Sequence, residues 1–290
     1  MKVSGFTFLR NGSMLGYPFI PSIRSVLPLV DEFVVALGPC QDDTEERLLG
    51  LNDPKIRIIR TTWNERLRND CRVKGFVYGQ QKSIAWFNCT GDWAFYLEGD
   101  EVVHEDDLPV IRAALERYQE DLRVECLFFD YIHFYGNRNT YAWSPGWYRR
   151  APRIMRNTIP AWAPKGLFFT VLEDHKRTRY PRAAHSGARI FHYGWARTES
   201  QIQKNKDLSE KFWSDRKPEV NLRAVDSEIL RRFEGTHPAV MADHLPPAEG
   251  LYLADPHHRL TRRERKHRAM LCLERWFGFE FNKNHFRRIR

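Results

Sequence analysis

The sequence predicts an α/β protein with a mainly parallel central sheet, followed by a helical, basic C-terminal extension. Three observations lead there. Short β-branched and aromatic runs alternate with amphipathic stretches through the first hundred residues, the pattern of strands joined by crossover helices. The 290 residues, 42% of them hydrophobic and 13% aromatic, suffice for a substantial core in one large or two ordinary domains. No uncharged apolar run approaches the ~18 residues needed to cross a bilayer.

Lys2 to Leu9 reads as the opening strand. A helix over about 17–27 follows, with Pro18 and Pro21 near its start, where proline is tolerated. Glu32 to Leu37, E-F-V-V-A-L, is a short buried strand, and the Asp and Thr of the loop after it suit a helix N-terminus. Lys55 to Arg60 alternates like a third strand, Gly79 to Cys89 reads as a helix, and Asp92 to Leu97 as a fourth strand. In such a sheet ligands bind beyond the carboxyl ends of the strands. Past about residue 120 the pattern loosens. Leu127 to Tyr135 is an aromatic strand, while 137–164 is rich in Trp, Tyr, Pro and Arg, suiting either a substrate-binding lobe or a core of large side chains. The expected organisation is a catalytic unit over 1–197, with a nucleotide half to about 104 and an acceptor half over 105–197, and an extension over 198–290.

The net charge of +9 is unevenly placed. Residues 257–290 hold eleven Lys or Arg against three Glu, leaving 35 basic and 34 acidic residues in the other 256. In this tail Met270, Leu273 and Phe277 recur at helical spacing between arginines. The helix either rests on an anionic membrane through Trp276, Phe277 and Phe279 or packs its stripe on the body. Nucleic acid is the weaker partner, because no recognised motif accompanies the charge. The five cysteines, Cys40, Cys71, Cys89, Cys126 and Cys272, are odd in number and form no C-x-x-C pair, so free thiols in a reducing compartment are expected. The N-terminus lacks an apolar signal-peptide core, and a cytoplasmic protein is expected.

The most informative stretch is Trp93 to Pro109, W-A-F-Y-L-E-G-D-E-V-V-H-E-D-D-L-P. An apolar strand ends and Glu98, Asp100 and Glu101 follow at once. Converging carboxylates raise one another's pKa unless a cation neutralises them. Oxygen ligands suit Mg²⁺ or Mn²⁺, often completed by substrate phosphates, which makes a nucleotide diphosphate the natural co-ligand. Glu105, Asp106 and Asp107 instead suit the N-terminus of the next helix.

At this stretch the chain resembles a family. E-G-D-E after W-A-F-Y-L is similar to the D-x-D signature of glycosyltransferases with the GT-A fold, specifically inverting enzymes of family 2. V-S-G-F-T-F-L-R-N-G resembles their nucleotide-contacting first strand, with Arg10 and Asn11 in its loop. F-V-V-A-L-G-P-C-Q-D-D-T-E-E-R-L resembles their second strand and acidic loop, with Asp42 and Asp43 standing several residues late. Lys82 lies on the helix where the family meets its nucleotide sugar with a basic residue, and I-F-H-Y-G-W, Ile190 to Trp195, is similar to a segment of bacterial lipopolysaccharide-core and capsule enzymes. The resemblance spans about residues 1–200. Glu98 stands where the family has Asp, and the first loop lacks its acidic residue.

The resemblance implies a Mn²⁺- or Mg²⁺-dependent transfer of a sugar, a hexose first of all, from a nucleotide-diphosphate sugar to a saccharide or glycolipid hydroxyl. It makes Asp100 a metal ligand, Glu98 a contact to the ribose or a metal-bound water, and His192 a further ligand. Arg10, Asn11, Asp42, Asp43 and Lys82 become nucleotide contacts, although Asp42 or Asp43 also suits a helix N-cap. The general base falls to the Glu173–Asp174 pair, Asp174 first, with Asp130 among aromatics as the alternative. Two other readings stand beside this one. A nucleotidyltransferase would open with a glycine-rich basic phosphate loop, which F-L-R-N-G-S-M-L-G matches poorly. A non-enzymatic nucleic-acid or membrane-binding protein would act through the tail.

Overall fold

Strand β1 (Val3–Leu9) lies at the centre of a parallel group ordered β3-β2-β1-β4, with β2 at Glu32–Leu37, β3 at Ile56–Arg60 and β4 at Trp93–Tyr96. The computed structural model describes residues 1–67, 74–210, 219–247 and 250–289. Helices α1 (Phe19–Val26), α2 (Thr44–Leu49) and α3 (Phe76–Phe87) connect these strands. Apolar clusters lie on both faces of the sheet, one around Phe33, Phe95 and Ile154, the other around Phe6, Trp86 and Tyr96. Strands covered on both faces carry near-continuous apolar runs, which is why these four stand out in the sequence.

Beyond β4 the sheet becomes mixed. After β5 (Glu101–Val103) and α4 (Leu108–Arg117) come β6 (Cys126–Tyr135), β7 (Asn137–Ala142) and β8 (Arg150–Arg156). Strand β8 inserts antiparallel between β4 and β6, so the Trp- and Arg-rich segment contributes central strands. A separate small sheet holds β9 (Ala161–Trp162), β10 (Thr170–Leu172) and β11 (Thr178–Arg179). The 14-residue β12 (Arg182–Trp195) then runs parallel to β6 and antiparallel to β5. It carries the C-terminal end of its own length into the acidic turn after β4.

Helix α5 (Glu199–Glu210) follows, and β13 (Leu230–Arg232) extends the sheet from β7. Helix α6 (Arg262–Phe277) begins at a capping box between Thr261 and Glu264 and ends at Gly278 in the left-handed region. Its single fully buried apolar residue is Leu271, helped by a bidentate pair from Arg149 to Glu274 at 2.7 and 2.9 Å. Leu273, Phe277 and the neighbouring Trp276 and Phe279 stay exposed, Trp276 at 81%. The apolar stripe therefore faces outward. Finally β14 (Arg287–Arg288) pairs with the start of β12. Cys40, Cys89, Cys126 and Cys272 are free thiols, while Cys71 lies outside the described residues. No helix among the described residues is long and apolar enough to cross a membrane.

Candidate functional site

The turn joining β4 to β5 carries Glu98, Asp100 and Glu101. It is tight: the Glu101 amide donates to the Glu98 carbonyl, and the Glu98 amide donates back to the Glu101 carboxylate at 3.1 Å. The three carboxylates nevertheless have different fates.

Glu101 is fully buried and completely partnered. Arg153 of β8 grips it through Nε at 2.8 Å and Nη2 at 2.6 Å, and the Tyr131 hydroxyl donates at 2.9 Å. Burial alone would raise this carboxyl, but the charge and hydrogen bonds of Arg153 hold it below the ordinary range. Glu98 is about 31% exposed and 3.4 Å from the same guanidinium. Burial and the Glu101 charge push it up to about 8.

Asp100 is buried and lacks such a grip. Arg197 approaches only to 4.0 Å, and burial pushes the carboxyl up to about 6. What faces it is His192 of β12, with Nε2 at 3.6 Å from Oδ1, too far for a hydrogen bond. The protonation of His192 follows from a chain of contacts. The Tyr148 carbonyl can only accept, so His133 Nε2, 2.7 Å away, carries a hydrogen. His133 Nδ1 is then the acceptor in its 2.9 Å contact with His192 Nδ1, which must donate. The remaining lone pair of His192 is on Nε2, aimed at Asp100. Burial keeps both rings neutral, lowering His192 to about 4 and His133 to about 3. Two acceptors thus face each other across a gap.

Gly194 holds that gap open. A Cβ at this position would sit 2.7 Å from His192 Nε2 and 2.8 Å from Asp100 Oδ2. The glycine of H-Y-G-W therefore has a steric reason. The donor set fits a hard divalent cation: one carboxylate and one imidazole whose second nitrogen is fixed by a hydrogen bond. Among the described residues no three His, Cys, Asp or Glu side chains converge on one point. A cation would therefore take Asp100 and His192 and complete its shell from substrate and water.

The structure gathers some predicted residues and separates others. Asn11, buried with φ 55°, accepts the Gln41 amide at 2.7 Å. Asp42 accepts the Met14 amide at 2.7 Å and the Thr44 amide at 3.2 Å, so the loops after β1 and β2 are locked together. Arg10 lies over Trp63, donates to the Pro39 carbonyl and pairs with Glu65. Asp43 is exposed beside α2. Lys82 is fully buried, 3.8 Å from the Tyr96 ring and 3.7 Å from Phe169, and donates to the Gly166 carbonyl.

The proposed bases lie apart from the Asp100 gap. Asp130 alternates with His133 along β6 and so projects from the opposite face, where Arg150 and His185 hold it at 2.9 and 3.0 Å. Asp174 is exposed on the β10–β11 turn and bound to Arg177 at 2.6 Å, and Glu173 pairs with Arg179 at 3.2 Å. Sequence reasoning passed over His133, Arg153 and Gly194. The signal for Arg153 was a charge inside the apolar strand R-A-P-R-I-M-R, and for His133 an imidazole in phase with Tyr131.

No family model matches the chain, and no curated protein matches its sequence. Among solved structures it is similar to S. aureus TarS residues 1–349 in complex with UDP-GlcNAc, at 14% identity and TM-score 0.35 over 54% of this chain and 46% of that one. It is also similar to glucosyl-3-phosphoglycerate synthase from Mycobacterium tuberculosis in complex with Mn²⁺, UDP and glucosyl-3-phosphoglycerate. That match has 16% identity and TM-score 0.31 over 47% of this chain and 45% of that one. The chain thus spans a little under half the length of these structures.

Proposed function

We propose that this chain is a metal-dependent inverting glycosyltransferase of the GT-A type, moving a hexose from a nucleotide-diphosphate sugar to a saccharide or glycolipid hydroxyl in surface-polysaccharide or glycolipid synthesis. The observation that carries the reading is the gap between the Asp100 carboxylate and the unprotonated Nε2 of His192, 3.6 Å apart beyond the carboxyl end of β4. Asp100 and His192 hold Mn²⁺ or Mg²⁺, which when bound neutralises the charge of the leaving diphosphate. His133 keeps the coordinating nitrogen of His192 free of its proton. Asn11 and Asp42 rigidify the paired loops that receive the nucleotide, with Arg10 beside them. Removal of the acceptor proton falls to a carboxylate that no arginine clamps at close range. This favours Glu98, in the same turn as Asp100 and met by Arg153 only at 3.4 Å, over Asp174, Glu173 and Asp130, whose arginine partners lie at 2.6 to 3.2 Å.

The exposed Trp276, Phe277 and Phe279, next to the arginines of α6, support a second element: the tail rests on an anionic membrane surface. Cosedimentation with phosphatidylglycerol vesicles, lost on replacing these three residues by Ser, is the expected result. Equal sedimentation with neutral vesicles contradicts it.

The catalytic reading is tested by a thermal-shift screen of nucleotide sugars with and without Mn²⁺. A ligand that binds only the folded state raises the melting temperature. At least one nucleotide sugar should do so in Mn²⁺ alone. A shift that ignores the metal, or none for any nucleotide sugar, overturns it.

A further inference from the structure

A cavity of about 420 Å³ is lined by both His133 and His192, within the ~300–1,000 Å³ typical of small-molecule sites. Its walls are aromatic. Trp147 and Trp195 meet edge to face with centroids 5.6 Å apart, and both remain half-buried, so ring surface faces the cavity. Flat apolar rings with a polar floor suit the C–H face and hydroxyls of a sugar.

The charge at the rim narrows the ligand further. Two carboxylates reach the cavity, Asp226 and Glu264, and both are already engaged. Arg268 donates to Asp226 at 3.0 and 2.7 Å. Glu264 accepts from the Thr261 amide and hydroxyl at 2.8 and 2.7 Å and contacts His258 at 3.1 Å. Arg263 and His267, one turn apart on α6, line the same rim, and neither makes an ion pair among the described residues. Burial, then the positive charges of Arg263 and Lys266, hold His267 below its ordinary range. Arg263 is therefore a cavity-lining guanidinium with no ion-pair partner among the described residues, with the His267 imidazole one turn along beside it.

We infer that this cavity binds a saccharide bearing an anionic substituent, a carboxylate or a phosphate, with the sugar ring against Trp147 and Trp195 and the anion at Arg263 and His267. Its role as the acceptor rests on the glycosyltransferase reading above; the binding itself does not.

The test is calorimetric titration of the full chain, saturated with Mn²⁺ and UDP, with methyl β-D-glucuronide, glucose 6-phosphate and methyl β-D-glucoside. At least one anionic sugar should bind tenfold or more tighter than the neutral glycoside, and which one does so separates uronate from phosphate. Arg263→Gln, an exposed helix position, should erase the preference while the melting temperature stays within a degree or two. Equal binding of the neutral glycoside, an unchanged preference in the variant, or no binding of any of the three overturns the inference. Titrating Mn²⁺ with UDP on the same sample keeps the two readings apart. If UDP binds only with Mn²⁺ but no sugar does, this inference falls alone. If an anionic sugar binds but UDP does not, the catalytic reading falls and the cavity stands.

Discussion

The two ends of the parallel pair β6 and β12 use acidic residues in opposite ways. At the amino end, Glu125 accepts two hydrogen bonds of 2.6 Å from Arg179, one of 3.0 Å from Arg182 and one of 2.8 Å from the Arg182 amide. Glu173 and Asp174 beside it also have arginine partners. At the carboxyl end Glu101 is treated likewise by Arg153, but the next residue back, Asp100, faces a lone pair. The contrast separates carboxylates engaged in structural pairing from one that is a candidate for chemistry. The first are satisfied by guanidinium geometry, the second is buried and left short of a cation.

The largest expected effect breaks the satisfied pair. Arg153→Met leaves Glu101 buried without its counter-charge and should cost about 3–5 kcal/mol, read as a lower urea midpoint at unchanged slope. Next comes the support of the unsatisfied pair. His133→Phe removes the acceptor that fixes the His192 proton and should weaken Mn²⁺ binding about 10–100-fold, while in the unaltered chain ¹⁵N NMR should find His192 protonated at Nδ1.

Smaller effects belong to the amino end. Glu125 has its pKa lowered, because its arginine contacts outweigh burial. Its stabilisation is therefore present above the unfolded carboxylate range and lost as pH falls through its folded value. Glu125→Gln should cost roughly 1–2 kcal/mol at pH 7, with the difference from the unaltered chain vanishing in acid melts. Smallest of all, Asp174→Ala should change transfer rate less than about threefold, since this exposed carboxylate already serves Arg177 and two turn amides. A large loss of rate in that variant would erase the distinction between the two ends.

The parallel half of the fold was legible because β1, β2 and β4 are buried on both faces and read as apolar runs. The mixed half was not. Strand β8 enters between β4 and β6, and β12 pairs with β5 about 90 residues earlier, so neither arrangement has a local signature. Asp100 and His192 were legible from their places after apolar strands. Asp130 drew attention through its aromatic neighbours, yet the two-residue period of β6 puts it on the face opposite His133. The basic residues following Glu173 and Asp174 in L-E-D-H-K-R-T-R were the sign that these acids would be paired locally. Lys82 was expected at the nucleotide, and only the packing of α3 against the loop between β9 and β10, which contains Gly166, reveals its aromatic enclosure.

The central claim is that Asp100 and His192 form a cation site. Titration of the full chain with Mn²⁺ in the presence of UDP, followed by the loss of the free-ion EPR signal, tests it most directly. One Mn²⁺ should bind per chain, and Asp100→Asn should weaken it at least 100-fold in a protein that melts no lower than the original. Undiminished Mn²⁺ binding by that variant would contradict the account.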